Sequence, residues 1–324
     1  LYVRAAASYA CRPIPTPADT VAMTLRRKVF ALALVVIGAA APPLRAQGAA
    51  AVPEVLLRLD DMGMNHSVNT AVGRVAATGM PISVSVMFAC PWYEEAVAIL
   101  QKHPNVTVGV HLVLNSEWRN YRWGPVLGKT AVPSLVDSVG YFLPSTASFV
   151  ARKPNLDEVE RELSAQMDRA MASGLKIAYV DPHMGAATAT PELRAVAERV
   201  ARKYGVGISR YFGEVAHTTF STPIDAKKAE LLAILGRADP KRTNLVVVHV
   251  AERTPEMDVL FDRNNAAQNS DDGLPMVARH RQGELDMLLS PELAEQVKSG
   301  KVRLTTYRQV IDRAGGPSAM RRPQ

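Results

Sequence analysis

Four apolar runs of this chain end in side chains that can do chemistry. EVLLRLD (54–60) closes on the paired acids Asp60 and Asp61, followed by Met62-Gly63. VTVGVHLVL (106–114) carries His111, KIAYVDPH (176–183) carries Asp181 and His183, and NLVVVHVA (244–251) carries His249. Valine or leucine would be cheaper to bury at each place. Two acids at the mouth of a buried strand are costly to desolvate unless something positive pairs with them. A divalent cation fits that need. A helix cap with a solvated loop accounts for Asp60-Asp61 taken alone, and a lone core histidine is commonly satisfied by one hydrogen bond. Several such residues at the ends of parallel strands are harder to explain separately. One carboxylate with two imidazoles leaves open positions on a cation, which is the pattern of a catalytic site. Such an ion makes water a usable nucleophile near neutral pH and polarises a carbonyl.

Strand parity constrains these residues. Neighbours on an extended strand face opposite ways. Asp60 and Asp61 therefore share a pocket only if the strand ends there and Met62-Gly63 turns the chain. One acid is then free to bind metal while the other handles protons. Arg58 shares parity with Asp60 and can hold it ionised. Asp181 shares parity with His183 and can orient it from behind.

The elements that must position these groups alternate. Strand candidates are 54–60, 81–88, 106–114, 176–183, 206–212, 244–251 and 301–307. Helical patterns lie between them at 67–78, 93–102, 156–173, 191–204, 224–237 and 291–299. Asn155, Thr190-Pro191 and Ser290-Pro291 read as helix starts, and Gly174 as a helix stop. About seven βα units with doubly buried strands predict a parallel sheet. Their number and size fit a single-domain α/β fold, a distorted (β/α) barrel of the TIM type, whose site lies at the strand C-termini. An open doubly wound sheet competes, but no G-x-G-x-x-G follows the first strand. Residues 115–150 and 253–283 read as long loops after strand ends, and loops of that length are usually functional. Trp118, Tyr121 and Trp123 in the first either stack against a sugar or pack the loop down.

The formal charge of +7 is misleading. Residues 1–46 hold six of the basic residues and one acid, Asp19, which leaves 32 basic against 30 acidic side chains. No basic patch interleaves with aromatics, so nucleic acid is not an expected partner. MTLRRK, VFALALVVIGAAA and PPLRAQGAAA read as the three regions of a secretory signal peptide over 23–46. Residues 1–22 then look like an over-extended start, and 47–324 is the barrel domain. The apolar region falls short of the ~20 residues of a membrane span, so a periplasmic or secreted protein without a stable membrane anchor is expected. Cleavage removes Cys11 and leaves Cys90 alone, with no intrachain disulfide.

In order along the chain, RLDDMG, VGVHLVL, DPH, RQGEL (281–285), LLSPEL (288–293) and TTYRQV (305–310) resemble the motifs of the YdjC-like (ChbG-type) carbohydrate deacetylases, relatives of the polysaccharide deacetylases. The resemblance implies a metal-dependent removal of N-acetyl groups from an amino sugar or oligosaccharide. It implies Asp61, His111 and His183 as ligands of a divalent metal (Zn or Mg, with Mn or Co as further options), and Asp60 as general base. It implies His249 as the acid that protonates the leaving amine, and Arg210 as the arginine that steadies the catalytic carboxylate. Arg58 replaces a usual small polar residue, DPHMGA lacks further histidines, and HVAER stands where many members have H-P-G. Two other readings compete: a metal-dependent hydrolase of an ester or phosphoester, and a non-catalytic carbohydrate-binding barrel. The sugar and the oligomeric state, a dimer among the options, are not legible.

Overall fold

Alternation along the first strand organises the molecule. In this computed structural model, which describes residues 51–265 and 275–323, β1 (Glu54–Met62) is buried over its whole length. Val55, Leu57 and Leu59 face the large core under the helices, whereas Leu56 joins a small second cluster with Ala178, Tyr179, Leu245, Tyr307, Val310 and Ile311. That second cluster fills the inside of the curled sheet. Arg58 and Asp60 follow Leu56 in parity and so face inward above it.

The other strands are β2 (Ser83–Val86), β3 (Thr107–Leu112), β4 (Ile177–Pro182), β5 (Gly207–Ile208), β6 (Val215–Thr218), β7 (Thr243–Val248) and β8 (Arg303–Thr305). They run in the order β5-β4-β3-β2-β1-β7-β6, with β8 beside the start of β1, and every ladder is parallel. Among the described residues β5 and β6 do not pair with each other. The barrel is therefore distorted and open on one side, an α/β single domain as expected.

The helices are α1 (His66–Ala77), α2 (Tyr93–Gln101), α3 (Thr146–Ala151), α4 (Leu156–Ala172), α5 (Pro191–Tyr204), α6 (Lys227–Gly236), α7 (Pro255–Asp258), α8 (Val277–Leu288), α9 (Pro291–Lys298) and α10 (Tyr307–Ala314). The anticipated caps form: Asn155, Thr190 and Ser290 each accept from first-turn amides.

Several expectations differ from the structure, and the 206–212 candidate shortens to the two residues of β5. The region 253–283 is not all loop, because α7 and most of α8 lie in it. The inward face of α8 carries His280, Arg281 and Glu284 beside its apolar residues, and all three are buried. Those polar side chains hide the apolar periodicity. β6 was missed because it is an edge strand whose residues alternate between half-buried and exposed. The 301–307 candidate shortens to β8, since Thr306 caps α10 with a reciprocal bond to Gln309. The stretch 115–150 is ordered by isolated bridges, Asn115 to Leu143 and Val136 to Phe142, and by α3. The expected signal segment and extended start, 1–46, lie outside the described residues.

Candidate metal centre

A bulge, rather than the end of a strand, brings the paired acids together. Leu59 pairs with Val84 and Met62 with Val86, so three steps on β1 match two on β2. Asp61 takes up the extra residue with a left-handed φ of 67°, a strained conformation for a residue with a side chain. The bulge breaks parity between Asp60 and Asp61, and both line one cavity at the strand C-termini. The strand continues to Met62, so the expected turn at Met62-Gly63 comes too late to do this work.

Asp61, His111 and His183 converge there. Asp61 Oδ1 lies 3.4 Å from His111 Nε2 and 3.4 Å from His183 Nδ1, and the two nitrogens are 3.1 Å apart. Ligand atoms about 2.1 Å from a cation stand roughly 3.0–3.5 Å apart in octahedral or tetrahedral arrangements. The triangle has those edges. Each imidazole spends its far nitrogen elsewhere. His111 Nδ1 faces the Asp181 carbonyl at 3.1 Å and Asp181 Oδ2 at 2.9 Å, and His183 Nε2 faces Glu117 Oε2 at 3.0 Å. With those protons held outward, the inward nitrogens present lone pairs. Among the described residues, Asp61 Oδ1 is buried without a hydrogen-bond partner. Three acceptors aimed at one point repel one another unless a cation or a proton sits between them, so the residues fit a divalent ion.

The electrostatics agree. Burial pulls His111 down, but Asp60, Asp181 and Asp61 outweigh it and push the ring up to about 10. Burial likewise opposes protonation of His183, yet Glu117 and Asp61 lift it to about 9. Burial raises the Asp61 carboxyl, but Arg281 and the two imidazoles hold it well below the usual range.

Beside this triangle, Arg58 clamps Asp60 with two bonds of 2.7 Å and reaches Asp181 Oδ1 at 2.6 Å. All three are buried. His249 Nε2 lies 3.9 Å from Asp60 Oδ2, and its buried Nδ1 has no hydrogen-bond partner among the described residues. Burial pushes His249 down to about 4 despite Asp61 and Asp60, so its ring is neutral at pH 7. The cavity has a volume near 940 Å³ and extends from these residues past Tyr211, Phe220 and Met184. That volume is within the range of small-molecule ligand sites.

Several sequence assignments shift. The arginine paired with Asp60 is Arg58, as strand parity allowed. Arg210 is exposed, lines the outer cavity and makes no ion pair with either acid. Asp181 orients His111 rather than His183, because β4 ends at Pro182 and His183 begins a tight turn. Trp118 and Trp123 are buried and Tyr121 gives its hydroxyl proton to the Met64 carbonyl, so Tyr121 and Trp123 pack the loop down. Trp123 stands edge-on to His183, with ring centres 6.1 Å apart, and Trp118 alone of the three lines the cavity. Glu117 was missed: its loop was noted for its aromatics, and an acid beside a tryptophan carries no periodic signal. Arg281 was visible only as part of RQGEL.

The molecule is thus a curled, open parallel barrel with an Asp-His-His triangle at its strand C-termini. Residues 54–299 match the family described as YdjC-like protein, and the chain belongs to that family. The carbohydrate deacetylase of Brevibacillus brevis is 27% identical over 263 residues, covering 79% of this chain and 99% of the relative. That of Thermus thermophilus is 37% identical over 150 residues, 46% of this chain and 50% of that protein. A crystal structure from Enterococcus faecalis, described as a cellobiose-phosphate cleavage protein, shares the fold with a TM-score of 0.62 at 22% identity, over 80% of this chain and 98% of that one.

Proposed function

We propose that the protein is a metal-dependent carbohydrate deacetylase that hydrolyses the N-acetyl group of an amino sugar or oligosaccharide. The observation that carries this is the triangle of Asp61, His111 and His183 with Asp60 clamped beside it by two hydrogen bonds from Arg58. The relatives named carbohydrate deacetylase support the reaction class. Two imidazole donors favour Zn over Mg, which prefers oxygen ligands. When bound, the cation supplies Lewis acidity for an acyl oxygen and lowers the pKa of a water.

The chain's own groups do the rest. Asp60 takes the proton of the attacking water, and the fork of Arg58 keeps its oxygens aimed. His249 is neutral, so it must first receive that proton; Asp60 lies 3.9 Å away, beyond direct hydrogen-bond reach, so the proton passes through one water between them. It then passes the proton to the leaving amine. No net proton is lost: one leaves water and one arrives at nitrogen. Glu117 and Asp181 hold the two imidazoles in the tautomer that points lone pairs inward.

Export to the periplasm or medium follows from the signal regions of 23–46. The mature chain should then begin between Gln47 and Val52, and N-terminal sequencing of exported material that retains Arg26-Arg27 would refute cleavage. The deacetylase reading is tested by measuring acetate release from acetylated mono- and oligosaccharides after chelation and add-back of Zn, Mg, Mn or Co. Release that depends on an added metal supports it. Turnover of esters or phosphoesters without amide cleavage assigns a different bond, and sugar binding with no turnover under any metal leaves only a binding protein.

A further inference from the structure

Helix α8 places two charges nearly one turn apart that the chemistry above does not use. Arg281 and Glu284 are each only 2% exposed, and positions three apart share a helix face. Arg281 Nη2 donates to Asp61 Oδ2 at 2.6 Å, and the guanidinium carbon lies 5.3 Å from the centre of the Trp118 ring. Glu284 Oε2 accepts from the main-chain N–H of His249 at 2.5 Å. Its other oxygen accepts from Thr219 Oγ1 at 2.6 Å and from Lys227 Nζ at 3.2 Å. One helix therefore holds both a proposed metal ligand and the strand end that carries the proton-transfer histidine.

The two oxygens of Asp61 are unequal. Oδ2 is taken by the guanidinium. Oδ1 is the orphaned oxygen, and it is the one 3.4 Å from both imidazoles. A carboxylate can bind a cation through one oxygen or two. An oxygen already in a short charge-assisted bond to arginine cannot also turn to the cation without drawing two positive charges together. We propose that Arg281 is a positioning residue that restricts Asp61 to one-oxygen ligation and so preserves an open position for the nucleophile. Glu284, on the same helix face, fixes His249 relative to that position. The role given to His249 rests on the deacetylase reading; the role of Arg281 does not.

The test uses the full-length protein loaded with cobalt(II), whose visible absorption weakens as the coordination number rises. Arg281→Gln frees Oδ2, so its cobalt band should fall several-fold in intensity, and Arg281→Lys should restore part of it. Glu284→Gln should leave the band unchanged while lowering kcat on an acetylated amine at least 10-fold with little change in KM. An Arg281→Gln protein holding one cobalt with the wild-type band overturns the assignment. So does a Glu284→Gln protein whose band falls as far as that of Arg281→Gln, because α8 would then act only as general support. If Arg281→Gln fails to fold, Arg281→Met, which removes the charge and keeps much of the bulk, carries the test, and an unaltered cobalt band in it overturns the proposal. The cobalt signal needs no turnover. A wild type that releases no acetate, with variants that show the spectral change, refutes the deacetylase reading and leaves Arg281 in its role.

Discussion

Glu117→Gln tests the tautomer argument at its most exposed point. Glu117 Oε2 and His183 Nε2 are 3.0 Å apart, and both side chains are only 5% exposed. The carboxylate fixes the ring proton on Nε2 and leaves the Nδ1 lone pair facing Asp61 and His111. A hydrogen bond to a charged group is worth about 1.5–3 kcal/mol, and partners of this kind usually change metal affinity by about 10–100-fold. Glutamine keeps an acceptor but loses the charge, so Glu117→Gln should weaken binding about 10-fold. Glu117→Ala removes both and frees the ring to hold its proton on Nδ1, so it should weaken binding about 100-fold. Competition with a chromophoric chelator at fixed pH gives the affinities directly. The order alanine worse than glutamine worse than wild type is the expected result. Wild-type affinity in Glu117→Ala, in protein that melts like the parent, would show that His183 does not need its carboxylate and that the inward lone pair is set otherwise.

Asp60→Asn should keep the metal and lose roughly 10²–10⁴-fold in rate, the usual contribution of positioned proton transfer, whereas Asp61→Asn should lose metal and activity together; equal metal loss in both would make both acids ligands. His249→Gln should also keep the metal and should slow amide substrates far more than an activated ester, whose leaving group needs little protonation; equal losses on both would make His249 a packing residue. Metal binding should release protons, because His111 and His183 are pushed up to about 10 and about 9. Their inward nitrogens are 3.1 Å apart and admit one hydrogen between them, so about one proton should leave at pH 7, read as a buffer-dependent binding enthalpy; an enthalpy independent of buffer refutes it. The sign for stability follows from folded pKa values raised above the unfolded value of about 6.5. The retained proton stabilises the metal-free protein fully below about pH 6.5, and that contribution is lost as pH rises through about 9–10. Melting temperature should accordingly fall from pH 7 to 10 without metal and hold steadier with it.

Much of the frame was readable from local pattern. Doubly buried strands, helix caps and polar strand ends are short-range features, so parity alone paired Arg58 with Asp60. The same sequence reading put Asp60, Asp61, His111, His183 and His249 at strand ends, and all line the cavity. Where charges replaced apolar residues on a buried helix face, the pattern failed, as in α8. It failed also where a strand lay half exposed at an edge, as in β6.

The sequence by itself determined which residue types stand at the strand ends and that an acid pair needs a positive partner. Tertiary structure decided who partners whom. A one-residue bulge on β1 turned Asp60 and Asp61 into one cavity. Arg281 reaches Asp61 across 220 positions of chain, Glu117 reaches His183 across 66, and Arg210, read as the arginine on the catalytic carboxylate, stays at the outer wall. Residue types and their periodicity are local properties of a chain. Pairing between distant side chains depends on how the sheet curls and on where a strand slips register, and no local window contains that information.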